Sequence, residues 1–401
     1  MKSIKRIFIA SVLALATTGT TMAQLPGLTG QTKNYISTGM PILLIAPDAI
    51  SSGMGDVGAA SLPDIYSAHW NNAKFAFIDG DMGFGTTYTP WLRNLKVSDM
   101  NLLYLGGFKR INSRSTVAAS LTYFSLGEIQ GTDADGQSQG SMYPNEFAAD
   151  VTYAMKLNNH LSLGATGRFV NSDLTNGQQI SDGSGYVTTK PARSIAADVG
   201  LYWETPVDKT QDFALGVFIS NLGAKLSYSE DDTKKEFLPA NLRLGGRYTN
   251  HIDESNEVSL LVDVNKLLVP TPPVTVGDST YSKYYRNMTE YYNTGVIRGA
   301  MQSFYDAPGG MSEELRELQI SAGGEYWYKQ TLAARAGYFY EHSTKGGRQY
   351  LTFGFGLKYN IMQFDISYLV PTTSFSSNPL SNTIRISLIL NFKSKRSNTS
   401  I

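Results

Sequence analysis

The sequence has no cysteine among its 401 residues. That absence excludes a disulfide framework, a thiolate metal site and a cysteine acceptor for N-terminal lipidation. Histidine is scarce as well, and its positions show no metal-ligand spacing, so we predict no metal site. The four histidines are His69, His160, His251 and His342.

Two further features are missing. The 34 basic residues balance the 34 acidic ones, so a charge excess that would favour nucleic acid is absent and we predict no nucleic-acid partner. After residue 23, no stretch approaches the ~18 consecutive apolar residues of a membrane-spanning helix. If the protein enters a membrane, it has to do so with strands.

The N-terminus has the pattern of a secretory signal peptide. A positively charged start, MKSIKR, precedes an apolar run, IFIASVLALA, and a small-residue context, TTGTTMAQ. We predict that residues 1–23 are removed by cleavage between Ala23 and Gln24, and that the protein is exported.

Glycine and aromatic residues are abundant instead, with 38 Gly, 24 Tyr and 18 Phe in a chain that is only 17% charged. Many segments alternate apolar and polar residues with a period of two. In FAADVTYAMKL, for example, Val151 and Tyr153 share one face, whereas Asp150 and Lys156 share the other. In a helix these charges would turn around the axis, so the pattern predicts β-strands.

Fourteen segments show this pattern, and their lengths suit the ~9–11 residues of a spanning β-strand. They are residues 82–92, 100–110, 115–126, 145–157, 160–170, 193–204, 212–221, 238–250, 256–266, 318–329, 331–341, 349–360, 362–370 and 382–392. Short links follow the even-numbered segments, and mostly longer links follow the odd-numbered ones. That alternation is typical of outer-membrane barrels, which have tight periplasmic turns and large external loops.

We therefore predict an all-β fold: a 14-stranded antiparallel transmembrane β-barrel over residues 82–392. Residues 24–81 are expected to form a hatch or plug inside the barrel, and residues 393–401 a short basic tail. The alternative is a large soluble β-sandwich with the apolar faces as its core. Fourteen strands exceed the usual size of such a sandwich, and a soluble fold does not explain the alternating link lengths.

Two short motifs suggest enzymes when they are taken alone. GMGDVG, residues 53–58, matches the G-x-G-x-x-G of dinucleotide sites, but that motif requires a βαβ unit and an antiparallel β pattern follows here. GQSQG, residues 136–140, matches the G-x-S-x-G of serine hydrolases, but Ser138 lies in a polar loop without the required strand and helix. We predict no catalytic residue, no cofactor and no enzymatic activity.

The region between the ninth and tenth segments, residues 267–317, is the other candidate for function. It is rich in tyrosine, and tyrosine-rich surfaces favour protein contacts. The candidate partner-binding residues are Tyr281, Tyr284, Tyr285, Tyr291 and Tyr292. An equally good alternative is a loop that folds back over its own barrel mouth, with a short helix at residues 312–318.

The stretch APDAISSGMGDVGAASLPDIYSAHWNNAKFAF, residues 46–77, resembles the N-terminal signature of the PorV (LptO) family of the type IX secretion system. These are FadL-like outer-membrane β-barrels of Bacteroidota. The resemblance extends to YTPWL at residues 88–92, and one departure is Asn72, where the family favours proline. The residues that carry it, and that we assign to the hatch, are Pro47, Asp48, Gly53, Gly55, Asp56, Gly58, Trp70 and Asn71.

The resemblance implies a non-enzymatic shuttle in the outer membrane. Such proteins take cargo by its C-terminal signal domain from a SprA/Sov-type translocon and deliver it to a PorU-containing attachment complex. Outer-membrane lipid and lipopolysaccharide would be the surroundings. The alternatives are a FadL-like channel for hydrophobic small molecules and a lipopolysaccharide O-deacylase, for which the sequence offers no evident nucleophile and base.

Overall fold

The structure is a computed structural model that describes residues 34–91, 99–132, 138–175, 179–181, 186–208, 210–230, 234–276, 279–372 and 383–393. The predicted signal peptide, the first part of the predicted hatch (residues 24–33) and nearly all of the predicted basic tail lie outside the described residues.

Fourteen strands of the described chain form one closed sheet. They are β1 (Met82–Pro90), β2 (Met100–Arg110), β3 (Ser115–Leu126), β4 (Asn145–Lys156), β5 (Leu161–Asp173), β6 (Ala192–Pro206), β7 (Gln211–Gly223), β8 (Asn241–His251), β9 (Asn256–Leu267), β10 (Gln319–Tyr328), β11 (Leu332–Tyr340), β12 (Gln349–Tyr359), β13 (Met362–Pro371) and β14 (Ile384–Phe392).

Each strand pairs antiparallel with its neighbour along the chain, and the last strand pairs with the first. Met82 of β1 lies opposite Lys109 of β2 on one side and Phe392 of β14 on the other. This closure confirms the predicted 14-stranded antiparallel barrel. The predicted bounds of β2 and β3 are also those of the structure.

The two faces of the wall differ as the alternation predicts. In β4, Val151 and Tyr153 are exposed on the outer face, whereas Asp150 and Thr152 are buried on the inner face. In a bilayer, a closed barrel satisfies its backbone hydrogen bonds between strands, and the apolar outer face meets lipid. The short links follow the even-numbered strands, so they mark the periplasmic end.

The eighth strand begins later than the sequence pattern predicts. We expected it from residue 238, but β8 begins at Asn241. Pro239 has no backbone N–H to give to a ladder, and the Ala240 N–H donates to the Leu238 carbonyl in a tight turn. Leu238 is consequently buried inside the barrel rather than facing lipid.

Smaller hairpins and helices lie in the longer links, at the outer end of the barrel. Two-stranded hairpins pair Ile129–Thr132 with Ser138–Met142, Gln179–Ser181 with Tyr186–Thr188, Leu226–Ser227 with Lys235–Glu236, and Val274–Val276 with Ser279–Tyr281. Three helices follow, α1 (Met288–Tyr292), α2 (Val296–Gln302) and α3 (Met311–Arg316). The last corresponds to the helix predicted at residues 312–318, but it begins one residue earlier and ends at Arg316.

In the part of the chain that the structure describes, no helix has both the length and the apolar character to cross a membrane.

Residues 34–81, which we call the N-terminal segment, consist of short helical turns and irregular chain. The turns are Pro41–Leu44, Ala49–Ser52, Ser67–Trp70 and Asn72–Phe77. Apolar side chains of the segment form the largest buried cluster among the described residues, together with inward-facing residues of the wall. Trp70 and Phe75 of the segment and Tyr104 and Phe108 of β2 belong to it.

Candidate functional site

The GMGDVG stretch lies against the inner faces of β10 to β12. A Cβ atom on Gly53 would come within 3.0 Å of the Gly354 Cα, and one on Gly55 within 2.6 Å of the Tyr338 backbone nitrogen. Gly55 also has a φ of 75°, a conformation that side chains disfavour. These glycines therefore allow backbone-to-backbone contact between the segment and the wall.

The wall contributes glycines at the same interface. A Cβ atom on Gly216 would lie 1.9 Å from the Ala59 carbonyl oxygen, and one on Gly323 would lie 2.2 Å from the Met54 carbonyl oxygen. Gly337 is similarly close to Met54. Inward-facing glycines on several strands thus make a smooth surface on which the N-terminal segment rests.

Polar groups of the wall satisfy the backbone of the segment. One carboxylate oxygen of Asp263 accepts hydrogen bonds from the Gly58 and Ala59 N–H groups, at 2.7 and 2.9 Å. The Gly55 N–H donates to the Thr352 hydroxyl at 2.7 Å. The Tyr350 hydroxyl donates to Asp56. Buried backbone donors require such partners, so these bonds hold the stretch in its place.

Asp48 organises the segment internally. It follows Pro47 and is the N-cap of the helical turn Ala49–Ser52, where one of its carboxylate oxygens accepts from the Ile50 and Ser51 N–H groups. The other oxygen accepts from the Trp70 indole N–H at 2.5 Å. The structure thus brings together the aspartate and the tryptophan that the sequence singled out 22 residues apart.

Asn71 and Asn72, where the turn Ser67–Trp70 ends and the turn Asn72–Phe77 begins, attach the segment to the wall. The Asn71 amide donates to the carbonyl oxygens of Ala59 and Leu201, both at 2.9 Å. The Asn72 amide donates to the Thr166 hydroxyl of β5 at 2.9 Å. A proline at position 72 could not make this bond, so the departure from the family pattern adds a contact here.

Small cavities adjoin the segment in the part of the chain that the structure describes. On its outer side they measure about 20 Å³, beside Trp70 and Arg243, and about 10 Å³, beside His69 and Arg168. On its periplasmic side a cavity of about 130 Å³ lies next to Arg247. The smaller two are sized for one or a few water molecules.

In the outer loop, residues 268–318, the candidate tyrosines lie mostly inside. Tyr285 and Tyr291 are buried with Phe237 and Val269, and the Tyr285 hydroxyl donates to the Gln302 amide oxygen at 3.0 Å. Tyr284 and Tyr292 are partly buried. Tyr281 ends the hairpin strand Ser279–Tyr281, and its side chain lies outside the described residues. Their role in partner binding stays a prediction.

Apolar residues that the sequence argument did not select lie on the outside of this loop. On α2, Ile297 and Met301 are 61% and 65% exposed, one helical turn apart. On α3, Met311 and Leu315 repeat that spacing and are 67% and 60% exposed. With Phe304 and Tyr305 these four residues form what we call the outer ridge. Apolar residues four positions apart on a short helix are the sequence signal that would have predicted the outer ridge.

Buried ion pairs fix the base of the outer loop to the barrel rim. The Lys266 ammonium lies 3.0 Å from Glu314 and 2.7 Å from Glu317, and the Lys345 ammonium lies 2.5 Å from Glu313 and 2.9 Å from Glu317. We call these five residues the rim clamp. Through it, α3 is tied both to β9 and to the link between β11 and β12.

Asp306 lies beside the rim clamp. One of its oxygens accepts from the Thr271 N–H at 3.1 Å, and the other is buried without a hydrogen-bond partner. Burial, together with the nearby carboxylates of Glu314 and Glu317, raises the pKa of Asp306 to about 7. Among the described residues, no group of three or more His, Asp or Glu side chains is arranged to hold a metal ion.

The sequence matches a family of known proteins. Residues 28–274, more than half of the chain, match the family described as type IX secretion system protein PorV. The chain belongs to the PorV family. The match includes the whole described N-terminal segment and the wall through β9, and it ends within the outer loop. No curated protein sequence matches the chain.

Solved structures similar to this PorV-family chain include three barrels. The toluene transporter TodX of P. putida is 14% identical with a TM-score of 0.49, over 86% of this chain and 99% of its own. The toluene transporter TbuX of Ralstonia pickettii is 12% identical with a TM-score of 0.46, over 86% and 98%. A Pseudomonas aeruginosa FadL homologue is 12% identical with a TM-score of 0.45, over 90% and 100%.

Membership of the PorV family links the chain to type IX protein secretion rather than to an enzyme class. The closed barrel, with its apolar outer face, is that of an outer-membrane protein. The family match therefore confirms the resemblance that residues 46–77 suggested.

Proposed function

We propose that this PorV-family protein is a shuttle of the type IX secretion system. It binds the C-terminal signal domain of a secreted cargo protein that emerges from a SprA/Sov-type translocon and delivers it to a PorU-containing attachment complex. The observation that carries the proposal is the outer ridge, because large apolar side chains held outside the membrane mark protein contacts.

The outer ridge is suited to binding because its position is fixed in advance. The rim clamp anchors α3, and the buried Tyr285 donates a hydrogen bond to Gln302 of α2. A surface that is already ordered loses little conformational entropy when a partner binds. Burying a large apolar side chain contributes ~1.5–3 kcal/mol, so a few such residues supply a useful affinity.

The N-terminal segment, with the undescribed residues that precede it, is proposed to be a hatch that keeps the lumen closed. The hydrogen bonds that the segment donates to Asp263, Thr352 and Thr166 of the wall support this role. In this proposal cargo moves along the outside of the barrel. A FadL-like channel would instead require those bonds to break for each molecule that passes.

The test compares cargo capture by two variants. Ile297→Ser with Met301→Ser removes two apolar side chains of the outer ridge, and Arg298→Ala, an exposed change on the same helix, is the matched control. A tagged cargo signal domain is incubated with each purified protein in detergent. We expect the ridge variant to bind about tenfold or more weakly, because two buried apolar side chains are lost, and the control to bind normally.

Two outcomes would contradict the shuttle. Equal capture by the ridge variant and the control would remove the ridge from cargo binding. The second outcome concerns Asp263→Ala, which loosens the N-terminal segment. If this variant takes up more of a hydrophobic small molecule, and if neither it nor the ridge variant changes cargo secretion, the channel is favoured. A separate measurement, N-terminal sequencing of the mature protein, tests the predicted cleavage before Gln24.

A further inference from the structure

The outer, lipid-facing wall carries a groove of about 640 Å³ across β1 to β4. Small outward-facing residues form its middle, since Gly107 lies opposite Phe84 on one side and Ala119 on the other. Val151 follows in the same row. Large apolar side chains that line the groove include Met82, Phe84, Leu105, Leu121 and Val151.

The floor of this groove is closed. β1, β2 and β3 pair residue by residue without a shift in register, from Met82 opposite Lys109 to Pro90 opposite Asn101, and from Met100 opposite Leu126 to Arg110 opposite Thr116. The groove is therefore a depression in the wall and not an opening into the lumen. Whatever fills it approaches from the side of the membrane.

The groove lies in the periplasmic half of the barrel. β2 reaches the short turn at residues 111–114 and β3 starts there, so the groove residues are those nearest the periplasmic end. Its one charged side chain is Lys109, which is exposed, faces outward and is flanked across the sheet by Met82 and Val117. Lys109 is two residues from Gly107, a rise of ~7 Å along the strand.

We propose that this groove binds one phospholipid of the periplasmic leaflet, with an acyl chain over Gly107 and Ala119 and the phosphate at Lys109. Water is absent from the hydrocarbon region, so an apolar depression at that depth is filled by an acyl chain or by protein. A single cation at the interfacial end of an otherwise apolar groove complements a phospholipid, whose charge is confined to one end.

The proposal is tested by native mass spectrometry of the full-length protein, stripped of lipid and then supplied with phosphatidylglycerol. Ala119→Leu fills the groove on its exposed side, and Ala165→Leu makes the same change at an exposed lipid-facing position of β5. Lys109→Gln removes the cation, and Lys329→Gln does so in a short turn elsewhere. All four changes lie away from the outer ridge and from the N-terminal segment.

We expect a one-lipid adduct on the unmodified protein and on both controls. Ala119→Leu is expected to abolish the adduct, and Lys109→Gln to weaken binding about fivefold, the effect of ~1 kcal/mol for one basic residue at a lipid phosphate. Equal adducts on all variants would overturn the proposal. So would a photo-reactive residue placed at Leu121 that cross-links in cells to a protein instead of to lipid.

Discussion

The N-terminal segment and the outer loop are both insertions of about fifty residues outside the barrel ladder, yet their burial is opposite. In the segment, Trp70 is 1% exposed and Asp48 is fully buried. In the loop, Tyr285 and Tyr291 are buried while Ile297 and Met301 remain in contact with solvent. The first region uses its distinctive residues for internal contact, and the second keeps apolar side chains available to a partner.

The environment of each region explains the difference. Inside the barrel buried backbone donors need partners, and the wall supplies acceptors such as Asp263 and Thr352. Outside it, water can satisfy the backbone, and local caps such as the Asn287 side chain, which accepts from the Glu290 N–H, suffice for short helices. Substitutions in the segment should therefore affect stability, and those on the ridge should affect binding.

The largest effect is expected from Gly55→Val. A Cβ atom there meets backbone atoms of β11, and the positive φ of 75° is unfavourable for a branched side chain. We expect the docked segment to lose about 4 kcal/mol relative to the undocked state. Hydrogen exchange of the Gly58 amide, which is bonded to Asp263, measures this loss directly.

Gly167→Val is the matched control for that prediction. Gly167 is an exposed strand residue of β5, and a Cβ atom there would meet nothing within 4 Å. We expect unchanged exchange at the Gly58 amide. If both valine variants exchange at the native rate, the segment does not depend on close contact at Gly55.

Asp48→Ala is expected to have the next largest effect on the stability of the docked segment. It removes two backbone acceptor bonds of a helical turn and the bond from the Trp70 indole, a loss of about 3 kcal/mol for the docked segment. Exchange of the Ser51 amide reports it. Trp70→Phe, which keeps the turn bonds, should cost less, and an equal cost for both variants would mean that the turn bonds contribute nothing.

The sequence predicted the barrel because period-two alternation and link length are local signals. It gave both bounds of β2 and β3 to the residue. It placed the start of β8 three residues too early, where Pro239 interrupts the strand. The pairing of Asp48 with Trp70 could not be predicted, since it depends on how the segment folds within a surface made by strands far along the chain. Motif resemblance selected both residues without giving their contact.

The sequence also left the outer loop undecided between partner contact and folding over the barrel mouth. Tyrosine content alone cannot separate these, because Tyr285 serves the interior and Ile297 the exterior of the same loop. The contacts of inward-facing glycines such as Gly216 and Gly337 could not be predicted either. The role of a glycine in a strand is evident only when the residue that packs against it is known.

A smaller effect, dependent on pH, is expected in the outer loop. The folded pKa of Asp306, about 7, lies above the ordinary 3.8, so the fold favours the protonated form. Loop stability is then full below about pH 4 and falls as the pH rises through 7. Asp306→Asn should remove this dependence and stabilise the loop by about 2 kcal/mol at pH 8. Glu290→Gln, at a partly exposed carboxylate of α1 that pairs with Arg286, should leave it unchanged.

Limited proteolysis of the outer loop at pH 6 and pH 8 measures this effect. The unmodified loop should be cleaved faster at pH 8, and the Asp306→Asn variant at equal rates. If the Asp306→Asn variant keeps the pH dependence of the unmodified protein, a group other than Asp306 causes it. The carboxylates of the rim clamp would then be the groups to replace.

The smallest effect on stability is expected where the effect on function is largest. Ile297→Ser with Met301→Ser removes side chains that are already mostly exposed, so the loop should lose at most about 0.5 kcal/mol, whereas Gln302→Ala on the same helix breaks the bond from the buried Tyr285. Proteolysis separates the two variants. If the ridge variant is cleaved as fast as Gln302→Ala, the ridge contributes to the fold, and any loss of cargo binding follows from unfolding rather than from a lost contact.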